Sequence, residues 1–464
     1  MRLAAVLSAL FVLILPGVAS ASDVYINPAG ASCSDSVSAA VASAATTPWC
    51  SLAPAARLAR PGDVVHIAPA TYPAQFRPLT SGTESQPIVY QADGDVTISG
   101  PTGAVSVILT GVHDVVLRGV RVLAAGPQAV WVDNAARIVL DSDSVTNISG
   151  TGVQIKAGTA VTITRSRLVG NLRAGLQEMA QSVGMTLSTS TVSGNGKDGQ
   201  QYNGDGVSLG GSGATVTDDS ISDNGDGIGF EHGIYAGPTA RGYLIARNQI
   251  GNNGGADIKA AGGPGVVADN QLSSSMFGLV LSDNPAFVTA EYNLIQGRFQ
   301  HGILVTTGTT AARARLWNNT VQQTGRLTAS GNASAVFVVS ASQLELRNNL
   351  FAYTNPDLLG SAFLLNDQAL VGSFVADTNW YASPDPSQLR VSWNGARVTF
   401  AKWRSLSGQD AASFDSAPPT FAADGRVTSA NLGAAKGTVL GLTHDLAGTP
   451  LPALAPPDLS AFQR

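Results

Sequence analysis

Five side chains able to move protons fall within one stretch of the chain: Asp205, Glu231, His232, Tyr235 and Lys259. Asp205 and His232 each stand before a Gly and an aliphatic residue (Asp205-Gly206-Val207, His232-Gly233-Ile234), and Lys259 follows the matching phrase Asp257-Ile258. If that phrase returns once per coil of stacked strands, the five meet on one face, with neighbouring coils roughly 4.8 Å apart. Asn203, Ser208 and Asp257 join them there. Lys197 and Arg298 offer cations, and His301 repeats the slot of His232 three coils further on.

Two chemistries suit this set. In β-elimination or epimerisation of a uronate polymer, a base takes the C5 proton, a cation or metal neutralises the carboxylate, and an acid assists the leaving oxygen. Lys259 or His232 can serve as base, Tyr235 as base or acid, and Lys197 or Arg298 as carboxylate partner. In glycoside hydrolysis, two carboxylates about 5–10 Å apart do the work, and Asp205 pairs with Glu231 or Asp257. Each residue also has a purely structural use. Asp205 suits the cap of a Gly-rich turn, and His232 a hydrogen bond to the next coil. Tyr235 can shelter the sheet, Lys259 can be a solvated edge charge, and Lys197 a loop tip.

The elements that would hold these residues are written in a repeat. A turn residue followed by an apolar one returns at Val122, Val145, Leu168, Val192, Ile221, Ile250, Leu272, Ile295, Val321, Phe351 and Tyr381, at spacings of 22 to 30 residues. Short β-type runs with such a period predict a β-solenoid, which presents a long groove to a long, thin ligand. A second register, Val153, Val207, Ile234, Ile258, Leu279 and Ile303, predicts an internal aliphatic ladder. Its outward neighbours are Gln154, Ser208, Tyr235, Lys259, Val280 and Leu304, polar as far as Lys259 and greasy beyond it. Asn248, Asn270, Asn293, Asn319, Asn349 and Asn379 predict an internal turn ladder, because Asn tolerates left-handed backbone and bonds neighbouring backbone. The insertion at 194–206 should emerge as a loop on the binding face.

Residues 1–21 have the form of a secretory signal peptide, with cleavage expected after Ala21, so a secreted or periplasmic location is expected. No later segment is long and apolar enough to span a membrane. Cys33 and Cys50, the two cysteines, should pair in an oxidising compartment. The net charge is −5, and nothing is basic enough to suggest nucleic acid. Charged residues are 13% of the chain, below the usual ~25%, as suits stacked strands with tight turns. No calcium repeat is present, although Asp and Asn at the insertion keep calcium a candidate ligand; a monomer is expected.

The run SLAPAARLARPGDVVHIAPATY (51–72) resembles the opening of secreted bacterial right-handed parallel β-helix proteins of the pectate-lyase-like superfamily. The segments at 403–421 and 444–463 resemble their closing segments. Alginate and chondroitin lyases share this opening, as do non-enzymatic relatives. The resemblance implies an all-β, single-stranded right-handed parallel β-helix of about 11–13 coils. The expected organisation is an N-terminal cap with a short helix at 22–62, coils at 63–381, and a small C-terminal cap or tail at 382–464. No catalytic signature of these families transfers. The alginate and chondroitin run NGxExxRxG, the pectate-lyase vWiDH and RxPxxR, and the epimerase DPHD are missing, and NGDG, EHG and DIK match polygalacturonase motifs only in part. The expected function is action on a polysaccharide, as a lyase or epimerase centred on His232, Tyr235 and Lys259. The alternatives are a non-catalytic polysaccharide-binding or matrix protein, and a hydrolase using Asp205 and Glu231.

Overall fold

The computed structural model describes residues 21–462 apart from 200–203, 228–229, 274, 285, 308–311, 328–332, 359–361, 367–369, 394, 429–432, 435 and 452–456. Each turn of the chain gives one strand to each of three sheets. Ala136–Asp141 lies in the first sheet, Ser144–Asn147 in the second and Thr151–Lys156 in the third, and Thr162–Thr164 returns to the first. Among the described residues the sheets hold 14, 14 and 13 strands, with a closing antiparallel hairpin, Arg390–Trp393 with Ala396–Thr399, in the third. Pairing between successive coils is otherwise parallel, which is how a solenoid satisfies its backbone groups through its neighbours.

The apolar repeat sets the register. In the second sheet Val122 pairs with Val145, Val145 with Leu168, and so on to Phe351 with Tyr381, each side chain at most 2% exposed. The third-sheet ladder runs Val153, Leu176, Val207, Ile234, Ile258, Leu279, Ile303, as alternation requires. Its outward column reads Gln154, Gln177, Ser208, Tyr235, Lys259, Val280, Leu304.

First and second sheets are joined by two-residue turns. The Asn of each turn is not the left-handed residue. That position is taken by the residue before it, Arg247, Asp269, Tyr292, Asn318, Asn348 or Thr378, with φ between 52° and 59°. The left-handed residue turns the chain, which frees the Asn to point inward. Asn248 Nδ2 donates to Asn270 Oδ1 at 3.0 Å, and the chain of bonds continues through Asn293, Asn319 and Asn349 to Asn379. Asp219, Ser190, Ser166 and Asp143 extend it downward. A second ladder, Asn171, Asn195, Asn224 and Asn253, which carries no signal in the apolar repeat, runs between the second and third sheets at the base of the insertion.

Both ends are covered. The helix Leu52–Leu58 buries Leu52, Ala55 and Ala56, and Ser51 caps it by accepting from Ala53 N. Asp35 accepts from Cys50 N and Ser51 N, and Cys33–Cys50 is a disulfide. Strand Asp23–Ile26 already pairs with Val64–Ile67, so the first sheet starts ahead of residue 63, and the run 64–72 holds two strands of different sheets. At the other end the helix Phe400–Ser407 packs Phe400 and Trp403 against Tyr381, Phe374 and Trp393. The chain after Phe414 then does more than cap the last coil. It returns along the second sheet, with Leu459 packed among Leu350, Ala352 and Trp380, Asn318 Nδ2 donating to Asp458 O, and His444 reaching Asp269 at 3.1 Å.

Candidate functional site

The third sheet places Tyr235 and Lys259 side by side on its outer face, one coil apart, because Tyr235 pairs with Lys259 in register. The ammonium of Lys259 lies 5.2 Å from the centre of the Tyr235 ring, a cation–π contact. Ser208 is the next rung below and Val280 the next above. Both Tyr235 and Lys259 are half-buried. Burial lowers the Lys259 pKa, opposed by the charges of Asp205 and Asp283. Burial, then the same two carboxylates, raise that of Tyr235.

Asp205 and His232 sit at the start of the strands that carry Ser208 and Tyr235. Asp205 Oδ1 accepts from the His232 N–H at 2.8 Å, which ties the two coils together. Burial pushes the Asp205 carboxyl up to about 7, with Glu231 adding to the rise and the His232 N–H and Lys259 opposing it. His232 is 5% exposed, with its ring 5.8 Å from that of Tyr235. Its Nδ1 accepts from Ala256 N–H at 2.9 Å, so the ring proton belongs on Nε2. Burial, helped by Lys259, lowers the His232 pKa to about 3. A neutral ring with Nδ1 occupied offers one N–H donor and no free basic nitrogen. Between Lys259 and His232, Lys259 is the half-buried one that keeps an amine for a base.

The other residues named from sequence lie elsewhere. Glu231 is 0% exposed. Its Oε2 accepts from Asp226 N at 2.7 Å, and Gly204 and Gly225 pack against it so closely that a Cβ on Gly204 would lie 2.3 Å from Oε1. It is the pin beneath two Gly-rich turns. Asp257 is also 0% exposed, bonded to Asn253 and Ser275 at the end of the second Asn ladder. His301 shares the His232 slot, as expected, but three coils away, ~14 Å at the strand spacing. There it is buried against Phe277 and Phe337 and bonded to Ser334. Lys197 donates to Gly225 O, and Arg298 projects from a strand of the second sheet. Asn203 lies outside the described residues. The structure therefore brings together Asp205, Ser208, His232, Tyr235 and Lys259. It adds Asp283, whose αL position just after the strand Phe277–Ser282 gave no signal in the repeat.

Glu178, also unanticipated, takes an inward slot beside Ile155. Its Oε2 accepts from Gly211 N at 3.0 Å, and burial pushes its carboxyl up to about 7. Among the described residues no group of three or more His, Cys, Asp or Glu side chains could hold a metal ion. Asp205 and Asp283 give two carboxylates, short of the six to eight oxygens that calcium takes.

The fold is thus an all-β, right-handed parallel β-helix. The family profile described as "right handed beta helix region" matches residues 200–324, the segment that carries the cluster. No curated protein matches the chain. Among solved structures, pectate lyase Pel9A aligns with 97% of this chain and 98% of its own, at 15% identity and a TM-score of 0.48. An alginate lyase from Paenibacillus sp. str. FPU-7 aligns with 67% of this chain and 93% of its own, at 14% identity and a TM-score of 0.40. The periplasmic alginate epimerase AlgG aligns with 67% of this chain and 75% of its own, at 13% identity and a TM-score of 0.41. Likenesses this distant carry no argument about activity.

Proposed function

We propose that this is an extracytoplasmic protein that binds a uronate-containing polysaccharide across the third-sheet face and cleaves or epimerises it by removing the C5 proton. The observation that carries the reading is the half-buried Tyr235–Lys259 pair on the outer strand face beside the desolvated Asp205. Lys259 is the base, since burial eases loss of its proton. Tyr235 is the acid, since burial and two carboxylates hold its hydroxyl proton in place. In elimination, Lys259 takes the C5 proton, the electron pair forms the C4–C5 double bond, and the C4–O bond breaks. The departing oxygen takes the Tyr235 proton. The ammonium and phenolate left behind are adjacent, so proton exchange between them restores the site. The Nε2–H of His232 is the neutral donor the cluster can turn toward the substrate carboxylate. No step is assigned to a metal.

The test is absorbance at about 235 nm, which reports the unsaturated sugar left by elimination, with polygalacturonate, alginate and hyaluronan, each with and without calcium. A rise on one polymer is expected, cut at least ~100-fold in Lys259→Ala and Tyr235→Phe and unchanged in Arg298→Ala. Flat traces together with no C5 inversion by NMR would remove the catalytic reading. A non-catalytic polysaccharide binder is the second reading. It is favoured by the burial of Asp205, Glu231 and Asp257, which withdraws the carboxylates named from sequence from contact with a polymer. Binding of the same polymer, weakened in Lys259→Ala without product, would establish it.

A further inference from the structure

We propose that the second sheet carries a separate binding groove, suited to the end of a neutral oligosaccharide. A cavity of about 560 Å³ lies on the outer face of that sheet, within the size range of small-ligand sites. It spans four successive coils, through the rungs Ser220, Gln249, Gln271 and Leu294. At the strand spacing these cover ~14 Å. The parallel outward column is Ser222, Gly251, Ser273. Ser273 leans over Gly251, where a Cβ would lie 2.4 Å from the Ser273 Oγ, so the rung takes no larger residue there. The lining holds hydroxyl and carboxamide side chains and no charged residue. Such groups donate and accept in equal measure, as sugar hydroxyls do, and give an anionic sugar nothing to pair with.

One feature sets the groove apart from a plain solvated strand face. The groove is closed at one end, where Gly425 of the returning tail sits on Leu294 so tightly that a Cβ would come within 2.3 Å of it. A polymer cannot run through, whereas a chain end or a short branch can dock. Beyond that end the column continues from Gln296 to Gln322, which is 8% exposed and lies outside the lining. The groove lies on a different sheet from Tyr235 and Lys259 and does not depend on the reading given to them.

The experiment is titration calorimetry of the full chain with the β-1,4-linked tetrasaccharides of glucose, mannose and xylose, at low and high salt. At least one should bind with one-to-one stoichiometry and an affinity indifferent to salt, since no charge is involved. Ser273→Trp, at an exposed position, should fill the groove and weaken binding ~10-fold or more, and Gln271→Ala a few-fold, while Lys259→Ala leaves it unchanged. Circular dichroism and the unfolding midpoint check that Ser273→Trp is folded. The proposal is overturned if none of the three sugars binds, if Ser273→Trp and Gln271→Ala bind as well as the parent, or if Lys259→Ala abolishes binding. That last result would place the sugar on the third sheet instead.

Discussion

Asn293→Ala tests whether the amide ladder holds the coils together or merely fills the turns. Asn293 is 0% exposed and makes four ladder bonds through its side chain. Its Nδ2 donates to Val267 O at 2.8 Å and to Asn319 Oδ1 at 3.0 Å, and its Oδ1 accepts from Asn270 Nδ2 at 3.0 Å and Asn270 N at 3.1 Å. Truncation leaves the Val267 carbonyl and the Asn270 N–H without these partners. Asn319 Oδ1 keeps the Asn293 N–H, and Asn270 Nδ2 keeps Ile245 O. Two orphaned backbone groups at about 1–3 kcal/mol each, and two weakened amides, give an expected loss of about 3–5 kcal/mol. Urea unfolding followed by far-UV circular dichroism measures it, with the slope checked for a change in the cooperative unit. Gln249→Ala, exposed on the second sheet beside the turns, is the control and should cost under ~0.5 kcal/mol. Asn293→Asp sharpens the test. A carboxylate still accepts from Asn270 but cannot donate to Val267 O or Asn319 Oδ1. Its deficit should therefore shrink in acid, where the protonated form regains one donor. If Asn293→Ala costs no more than Gln249→Ala, the ladder is ornament and the reasoning fails.

Glu178→Gln should remove a pH dependence from stability. The folded carboxyl is raised to about 7 from 4.5, so the parent loses stability as pH climbs between those values, by roughly 2–4 kcal/mol, and the parent-to-variant difference should level off above about pH 7. A difference flat across that window would contradict the burial argument. His232 should show no titration by NMR between about pH 5 and 8, with the proton held on Nε2, because its pKa is lowered to about 3; a midpoint near the ordinary 6.5 would restore it as a base candidate. Opening the Cys33–Cys50 link, which closes a separation of 17 residues, by replacing both with Ser should cost about 3 kcal/mol in the same unfolding assay. An unchanged midpoint would mean that the N-terminal cap unfolds independently of the coils.

The second- and third-sheet registers were legible because each coil must supply one apolar side chain at the same slot, and a misplaced rung would put a polar group in the stack. Val122 through Tyr381 and Val207 through Ile303 therefore pair as their spacing predicts, whereas Val153 pairs with Leu176, a rung missing from the predicted ladder. The fate of the carboxylates was not legible. Glu231 and Asp257 occupy the same stretch of sequence as Asp205, yet their partners are the backbone of Asp226 and the side chains of Asn253 and Ser275. A periodic pattern records which rung a residue occupies. It does not record whether a neighbouring turn folds over it. The left-handed position was misplaced by one residue for a related reason: Asn is the residue expected there, but Arg247 and Tyr292 accept the strain so that the Asn can point inward.

That trade explains how one fold keeps both a continuous core and a polar outer face. The interior amides bond along the axis, from one coil to the next, and ask nothing of the outer face. Outward slots are then free to vary coil by coil, which is why the third-sheet column passes from Gln177 and Ser208 through Tyr235 and Lys259 to Val280 and Leu304 without disturbing the register. Within that column only the Tyr235–Lys259 rungs have charge, burial and an adjacent desolvated carboxyl together. The coils above continue in aliphatic residues, so a polymer crossing this face would meet ionisable groups over about two rungs and apolar surface beyond. A catalyst needs its reacting groups at one sugar and shape along the rest. A matrix protein that only binds has no such need, and its contacts should be spread. Alanine substitution along the column separates the two: loss of binding concentrated at Tyr235 and Lys259 fits a reacting centre, and an even loss from Gln154 to Leu304 fits adhesion.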